Sequence, residues 1–533
     1  MMIKLNKTGI YSLLLLLFMA WSGCVEDFLN FTPKDRMTSA NFPENEEDIH
    51  LLLNGVYGQL RETDLISEGF FAFGVLDGAT PNAYNWGNTS VAMIGNGQLA
   101  ATDEFLVNFR WTRGYAIIFR ANYLLAMLDK VELSEDEKDM YLGETHFLRG
   151  IAYSILAETY GGVPIILAPI STEEARNMSR STAEETWNQA ISDYDVAIEK
   201  LDVDAPAVGR ATKGAAMAMK MRAYLYQNKF DEVLTMANQI EALGKYDLFP
   251  SYEGLFTLEN ENNQEVIFDI QYMRGENAQG TYLDQYTGTG TGSWTRGSRY
   301  VPTDDLVNAY ERIDGSPGKY FESDIDLDNP YEGWDPRLKF TVVVPGSYFL
   351  GYRFPSYMYP GGAFNHPGQR IKHLSTRKYR IANEADLPPT GQSDLNNIVI
   401  RYADVILSKA EAIIETEGNT DEAITLINRI RTGRDDVKMP PVPYGISREQ
   451  AREKLRHERR IEFALEGLYW MDIKRWHMLD GFLNDVYPLE IRDHNGGLIE
   501  TRFPGGYKEH FNLLPIPQRE LSINENLEQN PGW

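Results

Sequence analysis

The residues best suited to chemistry are aromatic rings set beside amides and guanidinium groups. In Pro81-Asn82-Ala83-Tyr84-Asn85-Trp86-Gly87-Asn88 an indole and a phenol stand among three carboxamides. An aromatic face stacks on the C–H face of a hydroxylated ring, and planar amide, carboxylate or guanidinium groups pair with the hydroxyls around it. Trp86 is therefore a candidate platform, Asn85 a candidate hydroxyl partner, and Tyr84 a second ring. A similar mixture recurs in Ser293–Tyr300, with Trp294, Arg299 and Tyr300, and in Tyr348–Tyr359, where six of 12 residues are aromatic, Tyr357 and Tyr359 among them. These segments read as exposed binding loops, since Gly freedom and aromatic density mark surface segments that carry function; six glycines fall between Gly275 and Gly297.

Catalytic and metal chemistry have weaker support. The eight histidines include no pair at i, i+4, so no H-E-x-x-H zinc site exists, and no G-x-S-x-G elbow, Walker loop or dinucleotide fingerprint occurs. A glycosidase needs only two carboxylates about 5 to 9.5 Å apart, a spatial criterion. With 77 acidic residues, a glycoside hydrolase stays as the enzyme-class alternative. Asp324, Asp326 and Asp328 alternate ahead of Asp335, as in a calcium loop, but Asn329 takes the glycine position, Pro330 follows and no Glu closes the loop. A solvated acidic turn is the better reading, with calcium the alternative.

Composition sets the frame for these loops. The 533 residues carry a formal charge of −26, which repels phosphate backbones, and no nucleic-acid partner is expected. Aromatic residues make up 12 %, enough apolar surface for an ordered globular chain. The one cysteine, Cys24, follows Lys4, Lys7 and an apolar run from Ile10 to Ala20. That run is too short to span a bilayer, and basic, apolar and small-residue regions in this order make an export signal over residues 1–23. Ser22-Gly23-Cys24 resembles a bacterial lipobox, with Trp21 where Leu is usual. Cys24 is accordingly the expected lipidation site and the only membrane contact, and Glu26 and Asp27 resemble the signal that sends such lipoproteins to the cell exterior.

The elements that must position the loops are helices. Apolar residues at spacings of three and four predict helices over Tyr115–Leu128, Tyr141–Tyr160, Trp187–Leu201, Lys213–Tyr226, Phe230–Leu243, Tyr402–Glu415 and Leu455–Trp476. The turns beginning Asn228-Lys229 and Gly418-Asn419 look alike and pair Ala223 with Ala410, as in tetratricopeptide units. Their separation is no multiple of 34, so no regular array is expected. The reading is a mainly α, tetratricopeptide-like scaffold with long irregular insertions. Its helical half lies at about 115–245 and 400–480, and the loop-rich insertions at about 60–112 and 250–390, within a single domain over 24–533.

Several segments together resemble the SusD/RagB family of nutrient-binding outer-membrane lipoproteins. They are Arg149-Gly150-Ile151-Ala152-Tyr153 running into Glu158-Thr159-Tyr160-Gly161-Gly162-Val163-Pro164, then Val399-Ile400-Arg401-Tyr402-Ala403-Asp404, Glu458-Arg459-Arg460-Ile461-Glu462 with Glu466-Gly467, Asp472-Ile473-Lys474-Arg475-Trp476, and the tail Asn530-Pro531-Gly532-Trp533. Their own chemistry reads as scaffold: Arg forks meeting carboxylates to lock helices, and Gly161-Gly162 as a helix stop. The resemblance implies a non-catalytic, lipid-anchored protein on the outer face of the outer membrane. It would capture an oligo- or polysaccharide and pass it to a SusC-like TonB-dependent transporter, with no cofactor. It also supports the Trp294 region as a site, because family members place sugar-contacting aromatics in corresponding loops. A RagB-like peptide-uptake role is the other alternative.

Overall fold

A computed structural model describes residues 42–61, 75–85, 90–275, 279–281, 300–319, 326–349, 352–353, 374–381, 386–389, 392–492 and 497–533. The main elements are α1 (Glu46–Arg61), β1 (Ala83–Asn85), α2 (Val107–Met127), α3 (Glu135–Tyr160), α4 (Ala183–Lys200), α5 (Lys213–Tyr226), α6 (Phe230–Ala242), β2 (Val266–Ile270), β3 (Tyr300–Pro302), α7 (Pro336–Thr341), β4 (Asn397–Arg401), α8 (Tyr402–Glu415), α9 (Thr420–Thr432), α10 (Arg448–Glu462) and α11 (Tyr469–Asp480).

Local sequence explains where these helices begin and how closely they meet. Ser134 with Glu137, Thr182 with Glu185 and Ser447 with Gln450 form capping boxes that satisfy the first N–H groups of α3, α4 and α10. Helix α3 ends at Tyr160, where Gly161 takes φ 74°, so the expected stop is in place. At Gly150 a Cβ would come within 2.8 Å of the Tyr194 ring, and its absence lets α3 and α4 approach closely.

Helices stack in sequence, α2 on α3, α3 on α4, α4 on α5 and α5 on α6. The series then skips a long insertion: α6 packs on α8, α8 on α9, and both on α10. Burying these faces against one another makes the large apolar core that holds Tyr160, Tyr194, Ile406 and Trp476. This is the tetratricopeptide-like scaffold expected from periodicity. Both α-hairpin turns close in the same way, with Lys229 N–H donating to Tyr224 O (3.0 Å) and Gly418 N–H to Ile413 O (2.8 Å). The left-handed residues are Asn228 (φ 55°) and Glu417 (φ 64°). Structural register therefore matches Asn228 with Glu417, so Ala223 corresponds to Ala412 rather than to Ala410.

One expected helix is two. The stretch Leu455–Trp476 breaks between α10 and α11, where Leu465 takes φ 63° and Gly467 φ 79°. A left-handed Leu is costly, and the break is held by Asp77, whose Oδ2 accepts the Leu465 N–H at 2.8 Å. It turns Glu466 inward to Arg401 and Lys378. Strands occur among the described residues only as antiparallel pairs, including β2 with β4 and β1 with β3.

Candidate ligand-binding site

Strand β1 belongs to the first candidate loop and β3 to the second. They pair antiparallel in the register Ala83 to Pro302, Tyr84 to Val301 and Asn85 to Tyr300. Thr303 fastens the pair: its N–H donates to Asn82 O at 3.1 Å, and its hydroxyl to Pro81 O. In an antiparallel pair the C-terminal end of one strand lies beside the N-terminal end of the other. The chain therefore departs toward Trp86 and toward Arg299 from the same end of this ladder.

The ladder rests on a second core of Tyr84, Val301, Leu306, Tyr310, Trp334 and Leu338. Arg502 lies over the Tyr84 ring, 6.0 Å from its centroid, and donates to Thr80 O. Arg460 of α10 reaches across to Asn82, Nε to Oδ1 at 2.8 Å. Arg460 of the helical half and Arg502 near the C-terminal end thus hold this segment through side chains whose role no local spacing announced. The only signal for Arg460 was its place in the Glu458–Glu462 motif.

Tyr84 and Asn85 do not stand on an exposed loop. They are strand residues, 9 % and 3 % accessible, with Tyr84 in the core and Asn85 against the turn at Gly78, whose missing Cβ leaves room for it. Asn85 Oδ1 has no hydrogen-bond partner among the described residues. Tyr300 is placed by its backbone pairing alone. Cys24, Trp86, Trp294, Arg299, Tyr357 and Tyr359 lie outside the described residues, as does Asp324. Of the acidic turn, Asp326 Oδ1 accepts Asp328 N–H at 2.9 Å and Asp328 pairs with Arg353 at 2.7 Å. Asp335 instead caps α7 and pairs with Arg337. Among the described residues no three His, Cys, Asp or Glu side chains form a group that could hold a metal ion.

The motif residues form buried ion networks that fix the frame under the site. Glu462 accepts from Arg401 (2.7 Å), Arg434 (2.6 Å) and Arg337 (3.1 Å), and Glu265 bridges Arg401 and Arg434. Glu458 joins Arg337 to Arg431, and Glu466 pairs with both Arg401 and Lys378. Burial alone raises the Glu462 carboxyl, but three guanidinium groups outweigh it and hold the group well below the usual carboxylate range. Asp404, bound to Arg222 and Arg459, settles at about 2 for the same reason. Lys378 goes the other way: burial lowers its amine to about 8 despite Glu466. Burial likewise raises the Asp77 carboxyl to about 7, outweighing the backbone N–H groups of Leu465 (2.8 Å) and Gly467 and the charge of Lys378, which lower it. Glu462, Asp404 and Glu466 thus meet guanidinium or ammonium groups of this same chain in its interior, the pairing that locks helices together.

Residues 264–533, about half of the chain, match the SusD family. The chain belongs to the SusD family. Residues 27–225 match a family described as starch-binding associating with outer membrane. Over 99 % of both chains, this SusD-family protein is 24 % identical to SusD-like protein P38 of Formosa agariphila. Its fold matches the crystal structure of a SusD-like carbohydrate-binding protein from Bacteroides fragilis, with a TM-score of 0.78 at 27 % identity, covering 91 % of this chain and 99 % of that one. A second SusD-like protein from the same species gives a TM-score of 0.78 at 24 % identity, covering 94 % and 100 %. The SusD-family assignment accounts for the helical scaffold and for the ordered motifs that run to Trp533. Among the described residues no helix is long and apolar enough to cross a membrane.

Proposed function

We propose that this SusD-family protein is a non-catalytic, cell-surface glycan-binding lipoprotein. It is anchored at the outer membrane through acylated Cys24, captures an oligo- or polysaccharide, and delivers it to a SusC-like TonB-dependent transporter. The observation that carries this reading is the Asn85–Tyr300 pairing, which brings two ring- and amide-bearing segments to one end of one ladder. Trp86, Trp294, Arg299, Tyr300 and Tyr357 are the candidate ligand contacts, with Tyr84 and Asn85 as the buried strand residues beside them. Kinship with a SusD-like carbohydrate-binding protein and with a family described as starch-binding associating with outer membrane supports the ligand class and the location. A protein of charge −26 gains no long-range attraction for a neutral glycan, so affinity comes from stacking and hydroxyl hydrogen bonds at short range.

Electrophoresis of the mature protein in native gels cast with plant, fungal and host polysaccharides tests this. Retardation by at least one glycan, without release of reducing ends on incubation, is the expected result. Reducing ends from that glycan would favour a hydrolase, and retardation by none, with peptide binding instead, would favour a peptide-uptake role.

A further inference from the structure

A cavity of about 1000 Å³ opens on the helical half and shares no residue with the β1–β3 ladder. The C-terminal part of α3, the first turn of α4, the α5–α6 turn, α11 and the segment ending in Asn530-Pro531-Gly532 enclose it. Three motif segments that served as scaffold in the sequence therefore meet at one hollow. Its volume lies at the upper end of the range for small-molecule sites.

The wall is mainly apolar, with the buried edge of Trp187, Met471 and, at the mouth, Met478, which is 56 % exposed. Seven charged residues interrupt it. Arg475 is held by Glu411 and Asp472, while Glu184, Lys508 and Glu509 are exposed and Lys229 is half-buried. That leaves Lys474 and Glu158 as the charged groups set deep in the wall, with no ion-pair partner nearer than 3.9 Å among the described residues. Lys474 is 94 % buried by its 6 % accessibility, and its amine donates to Asn512 O at 3.1 Å. Glu158, with a side chain 16 % exposed, accepts no hydrogen bond among the described residues; Arg110 comes no nearer than 3.9 Å. Lys474 and Glu158 feel each other's charge without forming an ion pair. Burial holds the Lys474 amine at about 8, with Glu158 partly countering it.

An amine with spare donors and a carboxylate with spare acceptor positions, both lining the cavity, select among ligand classes. A carboxylate or phosphate drawn to Lys474 would also face Glu158, and an ammonium drawn to Glu158 would also face Lys474, so a ligand with a single charge gains little net attraction here. A purely apolar ligand would strand both groups, each at a desolvation cost. A hydroxyl donates and accepts, so neighbouring hydroxyls satisfy the two together, while the C–H face of the same ring lies on Trp187 and the methionine side chains.

We infer that this cavity is a second saccharide site, binding one or two neutral sugar units with Lys474 and Glu158 on the hydroxyls and Trp187, Met471 and Met478 on the ring faces. The inference rests on the glycan-capture reading and extends it. A polymer that engages both places gains avidity beyond either site alone.

The test uses the mature protein labelled with ¹³C at the methionine methyls, with Met471→Leu and Met478→Leu to assign two resonances. Maltohexaose, laminarihexaose, cellohexaose, xylohexaose and mannohexaose are titrated to about 10 mM, beyond the millimolar end of specific binding. At least one sugar should move both resonances, in the wild type and equally in a Trp86→Ala/Trp294→Ala variant. Glu158→Gln and Lys474→Met, each checked for an unchanged melting temperature, should weaken that response about tenfold, as loss of a charged hydrogen bond implies. Unmoved methionines with every sugar would overturn the inference, as would shifts that vanish in the tryptophan double variant or survive Glu158→Gln unchanged. Gel retardation without methionine shifts defeats the second site and leaves the capture reading intact; absence of both defeats both.

Discussion

Asn85 of β1 sits opposite Tyr300 of β3 in an antiparallel ladder, although hundreds of residues and several helices separate them in the chain. One strand end therefore serves both candidate loops. Replacing Trp86 or Trp294 by Ala should weaken binding of the best glycan by about 1 to 3 kcal/mol, the cost of truncating an aromatic anchor. Calorimetry measures it, and the melting temperature should not change. Added salt should leave the affinity for a neutral glycan nearly unaltered.

Asn82, the residue before β1, and Arg460 offer a different lever on the same ladder, because the 2.8 Å hydrogen bond between them ties the entry of β1 to α10. Arg460→Met keeps the stem and removes the fork. Glycan affinity should fall by about 0.5 to 1.5 kcal/mol, a net hydrogen bond's worth, as β1 loses one of its ties. Equal affinity in the variant, by calorimetry, would detach α10 from the site.

Glu462 accepts from three guanidinium groups in the protein interior. Glu462→Gln leaves buried cations short of a counter-charge and should cost about 3 to 5 kcal/mol, read as a lower urea midpoint. Asp129→Ala breaks an ion pair with an 83 % exposed carboxylate and should leave the midpoint where it was.

Asp77 gives stability a pH slope of known sign. Its carboxyl titrates at about 7 in the folded chain against 3.8 without burial. Between those values the folded state holds a proton that the unfolded state has lost, so stability falls as pH rises from about 4 to about 7, by at most about 1.4 kcal/mol per pH unit. Asp77→Asn removes that slope. Its stability relative to wild type should rise between pH 5 and pH 8 in urea titrations, and a constant difference would contradict the assignment.

Cys24 is the predicted anchor. Cys24→Ala should move the protein from the membrane pellet to soluble fractions, since the short apolar run before it is removed with the leader. Retention equal to wild type, scored by immunoblot of the fractions, would refute lipidation at Cys24.

Periodicity alone located most of the scaffold, because a helix face buried against its neighbours must repeat every three to four residues whatever those neighbours are. Lys213–Tyr226 and Tyr402–Glu415 were legible to the residue, and Gly161 marked the end of α3. The carboxylates and guanidinium groups of the motifs were legible as a set of ion partners, since such groups are buried only when paired. Which pairs form was not: Asp404 bonds Arg222 and Arg459, while Arg401 beside it in the motif turns to Glu265, Glu462 and Glu466. Pairing is a matter of where distant elements bring their side chains. The break after Glu462 escaped for the same reason, since Leu465 is left-handed only because Asp77, far away in sequence, takes its N–H and Arg401 takes the next carboxylate. Aromatic and amide content singled out the ligand segments from sequence. That Tyr84 and Asn85 form a buried floor, and that their strand meets Tyr300, was decided by tertiary packing, because a strand of three residues has no stable existence until a partner strand and a core are there to receive it.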